Sequence, residues 1–316
     1  MRVKDWISMG KRRALWLSLA AVGLLNACGG GTSLVEPFAP TRLLAFGDQI
    51  STIQADGRKF TINTVDATGA LMCDSSPIWV QHLATVFGLT FSQCNPTAKT
   101  VNAQMLARAG AKAADIKTQI DSVLTGPVSK KDLATMMAGT NDVLEQYALF
   151  NGSNEATLIA ELRARGTAFG AQINRLALAG PRVVVVTSPD LGLSPYGIAQ
   201  KAAFTGTDRA ALLTRLGAAF YGSMRLEIIN DGRLIGLVFG DEDVQAQVKF
   251  PLSFGLSNVT QRACQPGIDT PNCTSQTLVT GANTLGWLWA DDLMLSPAGQ
   301  QRMGLLAEIR ARSNPF

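Results

Sequence analysis

The chain has 316 residues and a single histidine, His82. That scarcity excludes a histidine-rich metal centre and confines any histidine-dependent catalysis to one side chain. Charge is also scarce: 16% of the residues are charged, against roughly 25% in ordinary soluble domains. With 47% hydrophobic residues, so little charge excludes a disordered chain. The five cysteines include no Cys-x-x-Cys pair, which argues against a zinc ribbon. The 30 glycines and 13 prolines are scattered, so collagen-like and low-complexity classes fall away. No internal repeat is visible. The formal charge of +4 is a property of the N-terminus. Residues 1–27 hold five bases (Arg2, Lys4, Lys11, Arg12, Arg13) and one acid (Asp5); taking these from 28 and 24 leaves 23 of each sign. A neutral body offers no global field for nucleic acid.

What is present begins with a leader. A basic stretch precedes the apolar run Ala14–Leu25, about twelve residues long. That is too short for a bilayer span of roughly 20 residues and suits a signal-peptide core. Leu25-Asn26-Ala27-Cys28 follows, then Gly29-Gly30-Gly31. This resembles a bacterial lipobox, which implies cleavage before Cys28, lipidation of its thiol and anchorage in the cell envelope. Residue 29 is not Asp, which under the same resemblance favours the outer membrane. Residues 1–27 are therefore expected to be a lipoprotein signal peptide, 28–40 a flexible tether, and 41–316 the folded domain. Four cysteines remain in an exported chain, an even number that predicts disulfides. Of the three pairings, Cys73–Cys94 with Cys264–Cys273 closes the shorter loops and is expected.

Beyond the tether, apolar runs alternate with helical patterns. Arg42–Phe46, Leu133–Ala138, Arg182–Thr187 and Leu234–Phe239 read as buried strands, with a weaker one near 100–105. Between them, Asp115–Leu124 places Ile116, Ile120 and Val123 on one face. Glu155–Ala179 aligns Leu158, Leu162, Phe169, Ile173 and Leu176, and Asp208–Ile229 aligns Leu212, Leu216, Phe220 and Met224. Ser296-Pro297 supplies an N-cap and a first-turn proline for a last helix to about Arg312. Strands alternating with helices predict a three-layer α/β/α sandwich around a parallel five-stranded sheet. An Asp56-Gly57 turn marks a hairpin near 53–63, and residues 255–284 form a long polar excursion.

Three blocks carry candidate chemistry. The first strand ends in Phe46-Gly47-Asp48-Gln49-Ile50-Ser51 and the third run in Ala138-Gly139-Thr140-Asn141-Asp142. Trp289-Ala290-Asp291-Asp292-Leu293-Met294 precedes the last helix. In this order and spacing they resemble the GDSL (SGNH) esterase/lipase family over residues 41–312. Arg108-Ala109-Gly110-Ala111 is similar to its second block, and Val186–Gly192 to the exit of its fourth strand. The resemblance implies a flavodoxin-like sheet and ester hydrolysis. It also implies a serine nucleophile after Gly-Asp, an oxyanion hole from that residue's N–H with Gly110 and Asn141, and a histidine base oriented by Asp291. It implies no cofactor and no metal.

The sequence departs from that pattern where the reaction is carried out. Gln49 stands at the nucleophile position, and an amide is no nucleophile. Met294 stands at the base position, and a thioether accepts no proton at neutral pH. Restoring chemistry should therefore need Gln49→Ser and Met294→His together. Ser51 lies two positions from Gln49, a displacement of several Å where attack tolerates about 1 Å. His82 falls in a helical pattern, Ile78–Leu83, far from the last block. Bland readings stand beside these: Asn141-Asp142 as a helix-capping turn, Gly110 as a plain turn, Asp291-Asp292 as a solvated loop, Trp287 and Trp289 as packing. Three functions stay open. The first is a non-hydrolytic envelope lipoprotein that binds a small ester-like, acyl or glycan ligand or an envelope protein. The second is an esterase rearranged around Ser51, and the third a purely structural envelope protein.

Overall fold

The computed structural model describes residues 37–313. The expected signal peptide, the lipidated Cys28 and most of the tether lie outside the described residues. Five strands form one sheet: β1 (Arg42–Gly47), β2 (Ala103–Met105), β3 (Asp132–Met137), β4 (Arg182–Val186) and β5 (Ile235–Val238). Their order is β2-β1-β3-β4-β5 and every pairing is parallel. The alternation of apolar runs and helical patterns predicts the parallel five-stranded sheet, and its flavodoxin-like order is the one that the family resemblance implies.

Eight helices are described: α1 (Trp79–Val86), α2 (Ala113–Leu124), α3 (Thr140–Ala148), α4 (Glu155–Ala179), α5 (Pro195–Ala203), α6 (Arg209–Glu227), α7 (Gly240–Lys249) and α8 (Pro297–Arg312). Side chains alternate across a strand, so each strand feeds two cores. Leu43, Ala45, Leu133, Val184 and Val186 face one side with α1, α7 and α8. Leu44, Phe46, Ala134, Val183 and Val185 face the other with α2, α3, α4 and α6. These are the three layers expected. The helix ends follow the cap chemistry. Asp208 accepts from Ala211 N–H at 3.0 Å, and Ser296 from Ala298 N–H at 3.2 Å ahead of Pro297.

Helices α3, α5 and α7 are absent from the pattern that periodicity predicts. They are nine or ten residues long. Helix α7, for example, buries only Gly240, Val244 and Gln247, too narrow a stripe for periodicity to show.

Both expected disulfides form, Cys73–Cys94 with Cα atoms 5.6 Å apart and Cys264–Cys273 at 5.9 Å. Near 53–63, an antiparallel bridge joins Ile53 and Lys59. Beyond it the Asn63 side chain takes over the Lys59 backbone, accepting its N–H at 3.0 Å and donating to its carbonyl at 3.0 Å. Lys59 is fully buried, and its ammonium donates to the carbonyls of Cys73, Ser75 and Ser76 at 2.7–2.9 Å. Burial pushes it down to about 8. The excursion contains strand β6 (Asn258–Arg262), which pairs with β7 (Trp287–Trp289). It docks on the chain after β1: Asn63 N–H donates to Cys273 O and Ser275 N–H to Asn63 O, both at 2.9 Å. Trp287 and Trp289 are buried there, and Trp289 Nε1 donates to Val259 O at 3.1 Å.

Candidate functional site

Strands β1 and β3 leave the sheet side by side at its topological switch point, where open α/β sheets place their ligands. Both exits use glycine in the left-handed region. Gly47 has φ +137°, and a Cβ there would lie 2.2 Å from Met137 O. Gly139 has φ +122°, and a Cβ there would lie 2.7 Å from the side chains of Phe220 and Tyr221. No side chain fits either turn, so the first exit packs directly on the end of β3 and the second on α6. Gln119 of α2 clamps the first exit, accepting from Gly47 N–H and donating to Gly47 O, both at 2.9 Å. It is a residue that motif reasoning missed. Its signal was a glutamine on the apolar stripe of Ile116, Ile120 and Val123.

The two exits deliver Gln49 and Asn141 to one place, and the loop after β2 adds Gly110. Gln49 Oε1 accepts from Gly110 N–H at 3.1 Å and from Asn141 Nδ2 at 2.9 Å. Gln49 Nε2 donates to Asn141 Oδ1 at 3.2 Å, and Asn141 Nδ2 donates also to Ala111 O at 2.8 Å. Backbone groups at each end dictate both amide orientations. A flipped Gln49 would set its NH2 against the Gly110 donor, and a flipped Asn141 would set its carbonyl against Ala111 O. Asn141 therefore caps nothing. Asp142 does not cap α3, the helix that follows, either: its Oδ2 accepts from Ala113 N–H at 2.9 Å at the start of α2. Burial raises the Asp142 carboxyl, against the pull of that N–H and of Arg165.

Asp48 is fully buried one residue before Gln49. Its Oδ1 accepts from Ile50 N–H at 3.0 Å, while its Oδ2 makes no hydrogen bond. Burial pushes this carboxyl up to about 7, with the Ile50 N–H pulling the other way.

The last block arrives across the cleft. Asp291 Oδ1 accepts from the N–H groups of Leu293 at 2.9 Å and Met294 at 2.8 Å. Its Oδ2 accepts from Thr270 N–H at 3.0 Å and Thr270 Oγ1 at 2.6 Å. A carboxylate offers about four lone-pair sites, and all are taken. Asp291 is thus a buried anchor and not a solvated loop residue. Thr270, on the disulfide-closed excursion, carries no motif that could have announced it. Met294 is 5% exposed and packs into the core on the α1, α7 and α8 side. Asp292 pairs instead with Arg262, Oδ2 to Nη1 at 2.9 Å, and Arg262 also holds Asp269.

Together Gln49, Gly110, Asn141, Asp291 and Met294 line one cleft of about 390 Å³, with Phe60, Tyr196, Thr270 and Leu293 on its walls and Asp269 and Asp292 at its polar side. Ser51 and His82 are not brought to it. Ser51 is fully buried, its Oγ accepting from Trp79 Nε1 at 3.1 Å. His82 on α1 pairs with Glu308 of α8, Nε2 to Oε2 at 2.9 Å.

No family model matches the chain, and no curated protein matches it. Solved structures do. An acetylxylan esterase from Geobacillus stearothermophilus aligns at 14% identity over 87% of this chain and 96% of its own, with a TM-score of 0.45. An alpha/beta hydrolase enzyme from the metagenome of Lake Arreo, Spain, aligns at 17% identity over 88% and 97%, with a TM-score of 0.43. A member of the lipolytic protein G-D-S-L family from Veillonella parvula aligns at 13% identity over 84% and 95%, with a TM-score of 0.41. At these identities and scores the likenesses assign no residue a role.

Proposed function

We propose that the chain is a non-hydrolytic relative of the GDSL (SGNH) esterases, held at the bacterial cell envelope by a lipidated Cys28, whose cleft binds a ligand or a partner protein without turning over an ester. One observation carries this reading: the Gln49 carboxamide oxygen sits between Gly110 N–H and Asn141 Nδ2. In the esterase arrangement those donors would receive the oxyanion. Here they are engaged by the chain itself, at the position that would carry the nucleophile. Met294 supports the same reading from the other side, since a buried thioether offers no proton acceptor near Gln49. Asp291 has no acceptor site left to orient a base. The rearranged esterase loses its candidate nucleophile to burial, because Ser51 lies under Trp79 and outside the cleft.

The test is hydrolysis of p-nitrophenyl acetate and butyrate by the purified protein, with a serine-reactive fluorophosphonate probe alongside. The expected outcome is turnover at the level of buffer and no labelling. Turnover of ordinary esterase magnitude, abolished by Ser51→Ala, would overturn the reading and make Ser51 the nucleophile.

A further inference from the structure

The side chain of Gln49 has the connectivity of an acylated serine. In an acetyl-serine the order outward is Cβ, Oγ, carbonyl carbon with its oxygen, methyl. In Gln49 it is Cβ, Cγ, Cδ with Oε1, Nε2. A methylene replaces the ester oxygen and an amino group replaces the methyl, with no change in the number of heavy atoms. Position 49 is where the family resemblance places the serine, and Oε1 lies on the two donors that an acyl carbonyl would use, at 3.1 and 2.9 Å. The side chain is also nearly closed off from solvent, with the residue 8% exposed.

We infer that Gln49 is a built-in acyl group: the fold still constructs a carbonyl-binding site from Gly110 and Asn141, and the protein fills that site with its own carboxamide. This rests on the reading of the cleft as non-hydrolytic and deepens it by saying what the site recognises. The site selects a neutral primary carboxamide. Its Gly110 N–H and Asn141 Nδ2 demand a carbonyl oxygen, and its Asn141 Oδ1 demands an N–H donor beside it. A carboxylate would set a second oxygen against Asn141 Oδ1, and a ketone would leave that acceptor without a donor. Either mismatch costs affinity, because a buried polar group without a partner is expensive. While Gln49 is in place the site is closed to external carbonyls and oxyanions. A cleft ligand of the wild-type protein is then held by the walls, Phe60, Tyr196, Leu293 and Met294, and by the open carboxylate oxygens of Asp269 and Asp292.

Chemical rescue tests this directly. Gln49→Ala removes four heavy atoms, and acetamide has the same four in the same arrangement. A four-atom ligand binds no more tightly than about tens of micromolar even at the ceiling for tiny ligands, and ordinary ones are far weaker, so thermal unfolding is followed in acetamide up to about 0.5 M. The variant should melt several degrees below wild type and recover at least half of the loss in a saturable way. Sodium acetate and acetone should recover much less. Wild type, with its site filled, should not respond, and Gln49→Ala/Asn141→Ala should lose the recovery. Equal shifts in wild type and Gln49→Ala, or equal recovery by acetone, would overturn the inference. Should Gln49→Ala fail to fold, Gln49→Met keeps the length and removes the carbonyl. In wild type the Gly110 amide should then exchange with deuterium at least tenfold more slowly than in Gln49→Met, and equal exchange would overturn the inference. Ester turnover by wild type would sink the non-hydrolytic reading and leave the rescue result to stand or fall by itself.

Discussion

Two buried carboxylates, one next to Gln49 in the chain and one three residues before Met294, are treated in opposite ways. Asp48, beside Gln49, is fully buried with one oxygen lacking any hydrogen bond. Asp291, beside Met294, has all four acceptor sites filled. On the Gln49 side the Gly110 and Asn141 donors are filled by the chain's own carboxamide; on the Met294 side the Asp291 carboxylate is held by Thr270 and the backbone. The polar groups of Gln49, Gly110, Asn141 and Asp291 are thus paired within the protein. Each half was closed by the nearest chemically suitable partner, as the cost of unpaired buried groups requires. The exception is Asp48, whose desolvation is only partly offset by the Ile50 N–H and the Thr140 hydroxyl.

Three experiments would break or sharpen this contrast. The largest effect expected is on rate. Gln49→Ser/Met294→His supplies a nucleophile and a base, and each single variant should stay at background. In the double variant the new imidazole meets an Asp291 already engaged, so the gain should be small. Adding Thr270→Ala releases the hydroxyl from Oδ2 and should raise p-nitrophenyl acetate hydrolysis about tenfold or more over the double variant, since the orienting carboxylate can be worth about 10⁴. Equal rates for the double and triple variants would show that Thr270 does not hold Asp291 from its orienting role.

The second effect is on stability against pH. The Asp48 carboxyl titrates at about 7 in the folded protein, above its ordinary 3.8. Between these values the folded state holds a proton that the unfolded state has released. Stability therefore falls as pH rises from about 4 to 7, and the whole penalty is present above 7. Its ceiling is about 4 kcal/mol, from about 1.4 kcal/mol for each pH unit. Asp48→Asn can keep the Ile50 contact and removes the charge. Urea unfolding should show the variant gaining on wild type from pH 5 to pH 8; a constant difference would reject the buried-charge account. The smallest effect is that of Asp291→Ala. It strips acceptors from three backbone N–H groups and the Thr270 hydroxyl, at a cost of about 2–3 kcal/mol. Asp291→Asn should cost less, and a urea midpoint unchanged in both would mean that Asp291 anchors nothing.

Much of the scaffold was legible from one chain, for local reasons. The runs at 42–46 and 182–187 are apolar without alternation because both faces of the sheet are covered. Ser296 announced a helix start because a side-chain acceptor one residue ahead of a helix satisfies a free N–H. The short loops between cysteines were a sufficient guide to both disulfides. Helices α3, α5 and α7 escaped because short helices with few buried residues show no period. Within the site, Gln49, Gly110, Asn141, Asp291 and Met294 were nameable from the resemblance of their blocks to the GDSL (SGNH) pattern, while Gln119 and Thr270 were not. Neither belongs to a motif, and each acts on a backbone or carboxylate far along the chain.

By itself, the order of residues determined that position 49 carries no nucleophile and position 294 no base. Position 49 offers an amide and position 294 a thioether, and no fold turns either into a nucleophile or a base. Only the tertiary structure decided what those side chains do instead. Gln49 meets Gly110 across 61 residues and Asn141 across 92, and Thr270 meets Asp291 across 21. Hydrogen bonds are satisfied within about 3 Å, and separations of that size are closed by sheet order and by the docking of a disulfide-closed excursion. Local sequence propensity specifies none of these contacts.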